Sequence, residues 1–206
     1  MNIEKIDNGL YRLKIPFENI YTTVYIVVTA EGCAVIDSGT YPEDVDEYIL
    51  PALSELGLCE GDVKLLLLTH DHGDHAGGIV TLAQRVPCAK VCACFTKRVD
   101  FTPIADGEML LGRLQVVYLF GHTKSSVGYY DLETKTLLSG DCLQLGGVDK
   151  YTNGIGYADE YRASVDKLKS MDILRIVAAH EYEPLGSVAN GREEVRNYLD
   201  TCLKYI

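Results

Sequence analysis

Tryptophan is absent from this 206-residue chain, and phenylalanine, methionine and proline occur only four, three and six times. The missing indole removes one common stacking platform, while 14 tyrosines supply most of the aromatic surface. No apolar run approaches the roughly 18–20 residues of a bilayer-spanning helix. The opening MNIEKIDNGL also lacks the basic end and apolar stretch of an export signal, so neither membrane insertion nor secretion is expected. Positive charge is scarce, with 19 Lys and Arg against 30 Asp and Glu and a net charge of −11. Binding to a phosphate backbone rests on clustered cations and released counterions, so nucleic acid is not an expected partner. Seven cysteines, odd in number and irregularly spaced, read as reduced thiols of a cytoplasmic protein. What remains is ordinary: 47% hydrophobic and 24% charged residues, the balance of a soluble globular chain. A chain of this length buries about 70% of its unfolded surface and needs no staple.

No internal repeat, low-complexity tract or Pro/Gly/Ser-rich linker interrupts the chain, which reads as a single domain over 1–206. Strands are expected at YRLKIP, TTVYIVVT and CAVIDSG, separated by Asn-Gly and Glu-Gly turns. Pro42 suits a first helical turn, and Val45, Ile49, Leu53 and Leu56 recur at helical spacing up to Gly57. KLLLL (64–68) reads as a buried strand, 76–86 as a helix and AKVCAC (89–94) as a strand. Further strands are expected at 113–119, 127–131, 136–141 and 173–179, with helices over 158–170 and the amphipathic C-terminus. Two blocks of strands, each followed by helix–strand alternation, indicate an α/β class with two sheets covered by helices.

The chain has five histidines, and their placement carries the chemistry. His70, His72 and His75 fall in Thr69-His70-Asp71-His72-Gly73-Asp74-His75, while His122 and His180 follow predicted strands. Asp141 ends another strand in Leu138-Ser139-Gly140-Asp141. Strand ends hold functional groups in fixed geometry. Neutral imidazoles with carboxylates suit zinc, iron or manganese. Seven such donors exceed one tetrahedral ion but fit two ions sharing a carboxylate, about 3.5–4 Å apart.

These motifs resemble the metallo-β-lactamase superfamily over nearly the whole chain. IDSG at 36–39 resembles its first motif, THDHGDHAGG at 69–78 matches its His-x-His-x-Asp-His signature, and GHT (121–123), SGD (139–141) and AHEY (179–182) resemble the later ones. The resemblance implies a four-layered αββα sandwich of two mixed β-sheets flanked by helices. It also implies one metal on His70, His72 and His122, a second on Asp74, His75 and His180, and Asp141 bridging both. Asp37 would fix the loop or orient a ligand histidine, although a turn residue in Asp-Ser-Gly explains it equally. The implied cofactors are two divalent ions, zinc first, with iron or manganese as alternatives.

The implied activity is hydrolysis by a metal-bridging hydroxide, with Asp74 as the catalytic carboxylate that handles the proton. Among the family's substrates, a small ester, thioester or lactone is favoured. His180-Glu181-Tyr182 resembles a segment of glyoxalase II, with Ala179 in place of its glycine. Lys150, Tyr151 and Tyr182 are the corresponding candidate substrate contacts. Lys124 reads as a surface lysine, and the Gly146–Gly156 loop as a lid or a long connection. A mononuclear Fe(II) persulfide dioxygenase held by His70, His122 and Asp141 is the alternative from another reaction class, and a phosphodiesterase a further one. The expected partner is a small-molecule substrate, with no nucleic acid and no membrane; a homodimer is compatible with the sequence.

Overall fold

The computed structural model describes residues 3–144 and 154–206. It divides into two compact units, Met1–Ile104 and Ala105–Ile206, each built on its own sheet.

The first unit has seven strands in sequence order: β1 (Ile3–Asp7), β2 (Leu10–Phe17), β3 (Ile20–Thr29), β4 (Gly32–Ile36), β5 (Val63–Leu67), β6 (Lys90–Ala93) and β7 (Thr102–Pro103). Tight turns make β1 to β4 antiparallel. Longer connections then make β4 to β7 parallel. The β2–β3 register from Leu10↔Val27 to Phe17↔Ile20 sets Leu13, Ile15, Val24 and Ile26 within one apolar cluster. Val45, Ile49, Ala52, Leu53, Ile79 and Leu82 belong to the same cluster. They come from a π turn (Val45–Ile49), α1 (Leu50–Glu55) and α3 (Ile79–Arg85). Full burial of each large aliphatic side chain contributes about 1.5–3 kcal/mol. The predicted Val45–Ile49–Leu53 stripe is buried as expected, but its first turn is wide. Pro51 offers no N–H, and just ahead of it the Leu50 N–H reaches back to the Val45 carbonyl.

The helix predicted over 76–86 begins earlier and is broken into α2 (Gly73–Ala76) and α3. A close approach marks the break: a Cβ on Gly77 would lie 1.8 Å from the Thr40 carbonyl oxygen. Only glycine lets the two backbones meet there. β1 was not anticipated, since IEKID is polar and partly exposed; β7 is too short to leave a pattern.

The second unit has six strands in the order β13-β12-β11-β10-β9-β8. These are β8 (Met109–Leu110), β9 (Leu114–Tyr118), β10 (Val127–Asp131), β11 (Thr136–Gly140), β12 (Arg175–Ala178) and β13 (Val188–Asn190). Only β11 and β12 pair in parallel, and α4 (Ala158–Lys169) lies between them in the chain. Tyr161, Val165 and Leu168 of α4 share a core with Val195, Tyr198 and Leu199 of α5 (Gly191–Cys202) and with Val117, Leu137 and Ile176 of the sheet. Arg113 and Asp131 form a buried two-pronged ion pair at 2.9 and 2.6 Å. Among the described residues no helix is long and apolar enough to cross a membrane.

Strand direction explains where the polar residues emerge. β4, β5 and β6 are parallel, so Asp37, His70 and Thr96, which follow them, leave the same edge of the first sheet. In the second sheet β9 and β11 both oppose β10, and β12 follows β11. His122, Asp141 and His180 accordingly leave one edge of that sheet.

Candidate metal centre

In the first unit the segment after β4 brackets the histidine loop. The Asp37 carboxylate is buried and accepts three hydrogen bonds of 2.8 Å, from the Thr69 N–H, the Thr69 hydroxyl and the His75 Nδ1–H. Thr69 Oγ1 also lies 3.1 Å from His70 Nδ1. Because that hydroxyl spends its proton on Asp37, it accepts from His70. The two rings thus carry their protons on Nδ1 and present Nε2 as a lone pair. Ser38 donates from its N–H and its hydroxyl to the His75 carbonyl, at 2.7 and 3.0 Å. Gly77 N–H donates to the Gly39 carbonyl at 3.1 Å. His72 caps α2, its carbonyl receiving the N–H groups of His75 and Ala76. The His70 ring centre lies 4.5 Å from that of His72 and 4.3 Å from that of His75. Asp74 Oδ2 faces His75 Nε2 at 3.4 Å.

In the second unit Asp141 is the hub. Its Oδ1 is 3.3 Å from His180 Nε2 and its Oδ2 is 3.7 Å from His122 Nε2. Gly140, just before it, has a φ of 52°, and the β11–β12 register shifts between Leu138 and Gly140. This kink re-aims the chain as the strand ends. His122 Nδ1 meets the Gly154 carbonyl at 3.0 Å and the Gln144 amide at 2.7 Å. The carbonyl asks Nδ1 to donate and the Gln144 amide nitrogen asks it to accept, so the two contacts hold the ring in place without fixing its tautomer. Gln144 is held through its backbone carbonyl, which accepts the Tyr161 hydroxyl at 2.8 Å. Burial pushes that phenol above its ordinary range and keeps it a donor. Tyr182 donates its hydroxyl to Asp141 Oδ1 at 2.9 Å.

These distances fit metal donors. Charge-assisted hydrogen bonds run at about 2.7–2.9 Å, shorter than the three pairs in which an imidazole Nε2 faces a carboxylate. Ligands about 2.0–2.1 Å from a tetrahedral ion stand about 3.3–3.4 Å from one another. The His75–Asp74 and His180–Asp141 pairs match that spacing, and the His122–Asp141 pair is slightly wider. Neutral imidazole and carboxylate form the donor chemistry expected of zinc, iron or manganese.

The metallo-β-lactamase superfamily profile matches residues 19–93 and 95–180. The chain belongs to the metallo-β-lactamase superfamily. It is 31% identical over 192 residues to a hydroxyacylglutathione hydrolase of Prochlorococcus marinus (strain MIT 9301), covering 88% of this chain and 72% of that protein. It is 26% identical to a β-lactamase-like protein 2 homolog of Caenorhabditis elegans, over 86% of this chain and 63% of that protein. A solved B3 metallo-β-lactamase with an active-site glutamic acid superposes with a TM-score of 0.77 at 21% identity, covering 100% of this chain and 88% of the other. That likeness establishes the metallo-β-lactamase fold, the class the sequence motifs implied. The chain spans 52% to 63% of the length of the C. elegans protein and of two further hydroxyacylglutathione hydrolases.

Each sequence-predicted donor lies in one of the two half-sets. His70, His72, Asp74 and His75 gather in the first unit, and His122, Asp141 and His180 in the second. Asp37 serves both readings offered for it, since its left-handed φ of 66° makes the turn while its carboxylate holds His75. Lys150 and Tyr151 lie outside the described residues, as does most of the 146–156 loop. Lys124 lies with its ammonium 5.0 Å over the Tyr157 ring. Thr69, Gln144 and Tyr161 went unread because ordinary polar residues carry no metal-ligand signal of their own.

Proposed function

We propose that the two half-sets act together as the dinuclear centre of a hydrolase. His70, His72 and His122 would hold one ion, Asp74, His75 and His180 the other, and Asp141 would serve both. The observation that carries this reading is Asp141: each of its oxygens faces a different imidazole Nε2, as a bridging carboxylate requires. When bound, two divalent ions, zinc first, supply a water of lowered pKa and a Lewis acid for the oxyanion. Asp74 holds the proton of the attacking water on its carboxylate and returns it to the leaving group. Asp37 keeps His75 in the tautomer that offers Nε2, and Gly154 and Gln144 hold the His122 ring in place. A mononuclear iron oxygenase would leave His75 and His180 without employment, although both face carboxylates at donor spacing.

The substrate we favour is a small ester, thioester or lactone, with a hydroxyacyl thioester first. The support is the 31% identity with a protein named hydroxyacylglutathione hydrolase. We place the reaction on a small molecule in the cytoplasm, in keeping with a net charge of −11. The test is elemental mass spectrometry of the purified full chain, followed by assays on hydroxyacyl thioesters, lactones and phosphodiesters. About two ions per chain with thioester turnover is the expected result. One iron per chain with oxygen uptake on a persulfide would overturn it.

A further inference from the structure

Asp71 stands between two proposed ligands, His70 and His72, yet the structure employs it elsewhere. Its Oδ1 accepts the Thr96 hydroxyl at 2.5 Å and faces Arg98 Nε at 3.4 Å. Its backbone carbonyl accepts Arg98 Nη2–H at 3.2 Å. Thr96 is buried, and its hydroxyl oxygen also receives the Arg98 backbone N–H at 3.2 Å, closing the network on itself. These contacts come from the segment after β6, 25 to 27 residues along the chain.

We propose that Asp71, Thr96 and Arg98 form a tie that positions the His70–His72 loop for its metal ion, an inference that rests on the dinuclear reading above. The carbonyl gripped by Arg98 belongs to the rigid peptide plane that leads into His72, so fixing it fixes where the His72 backbone begins. Asp37 performs the corresponding service for His75 from the other side, through its ring. The Asp71 carboxylate also neutralises the Arg98 guanidinium, which would otherwise set a positive charge beside a cation site. Asp71 and Arg98 are positioning residues, since neither is among the donors.

Chelator-competition titrations with cobalt(II), followed by its visible absorption on the full chain, test this tie. Arg98→Ala and Asp71→Asn should weaken one of the two ions about 10–100-fold, the usual effect of removing a group that orients a ligand. The other ion should stay within about twofold, and Arg98→Lys should restore part of the loss. A general loss of structure would weaken both ions equally and lower the melting temperature of the metal-free chain. That outcome, or two ions bound as tightly as in the wild type, would overturn the tie. Wild-type protein that takes up a single ion removes the dinuclear reading instead, and the tie is then judged on whether Arg98→Ala weakens that ion. Uptake of no ion removes both.

Discussion

Replacing Asp37 with asparagine changes one atom and isolates the charge that holds the histidine loop. Asparagine tolerates the left-handed φ of 66° found here, so the turn itself is spared. The side chain keeps one carbonyl oxygen for the Thr69 N–H, but an amino group replaces the oxygen that serves both the Thr69 hydroxyl and His75 Nδ1. Two donors then face a donor in a buried site. The conflict is relieved when His75 moves its proton to Nε2, the nitrogen that faces Asp74 at 3.4 Å. That tautomer has no lone pair to offer a metal. Losing a hydrogen bond to a charged group costs about 1.5–3 kcal/mol, and loss of a ligand-orienting partner usually weakens metal binding about 10–100-fold. We expect Asp37→Asn to weaken the His75-side ion by that factor and to lower the unfolding free energy of the metal-free chain by about 1–3 kcal/mol. Chelator competition and urea denaturation measure the two quantities. Wild-type affinity at both ions in a folded Asp37→Asn protein would refute the reasoning, because His75 would then have bound metal without its acceptor.

Tyr182→Phe removes the hydroxyl bonded to Asp141 Oδ1; metal affinity should fall by up to about tenfold, near 1.4 kcal/mol, with KM for a thioester unchanged. A raised KM at unchanged metal affinity would instead make Tyr182 a substrate contact. Asp131→Asn takes the buried countercharge from the Arg113 guanidinium, leaving it the exposed Glu133 carboxylate at 3.2 Å, and should cost about 3–5 kcal/mol in urea unfolding; a loss under about 1 kcal/mol would refute that role. Among the cysteines, Cys59 and Cys88 are exposed and should react first with a disulfide reagent. Burial pushes the Cys33 thiol up to about 12 and the Cys202 thiol up to about 11, so at pH 8 both stay protonated and should react only on unfolding. Cys142 packs in the apolar core with Tyr161 and Val165, so Cys142→Ala should retain metal and activity.

The donors were legible because imidazole and carboxylate in a tight repeat have few structural uses, and because apolar runs marked the strands that end at them. The strands β2, β3, β5 and β10 were legible for the same reason, since runs of aliphatic and aromatic residues bounded by polar or turn residues leave a clear pattern. The two-residue β7 and β8 and the three-residue β13 left none, because their pairing is set by neighbouring strands rather than by their own residues. The break between α2 and α3 was hidden as well: Gly77 looks like any helical glycine until the Thr40 carbonyl arrives from the end of another strand.

The same reasoning separates the donors from the residues that make them usable. His75 lies 38 residues from Asp37, Asp71 lies 25 from Thr96, and His122 lies 22 from Gln144. Each pair is brought together by adjacent strand ends or by the loops beyond them, a spacing that no local pattern encodes. An aspartate after β4 or an arginine after β6 is chemically ordinary by itself. It acquires meaning from the parallel pairing of β4, β5 and β6, which sets three loops side by side at one sheet edge. A donor set intact in sequence thus specifies which atoms can hold a metal, while the tautomer of His75 and the placement of the His122 ring are decided by neighbours that follow other strands. Chains that share all seven donors are expected to differ in metal affinity wherever those neighbours differ.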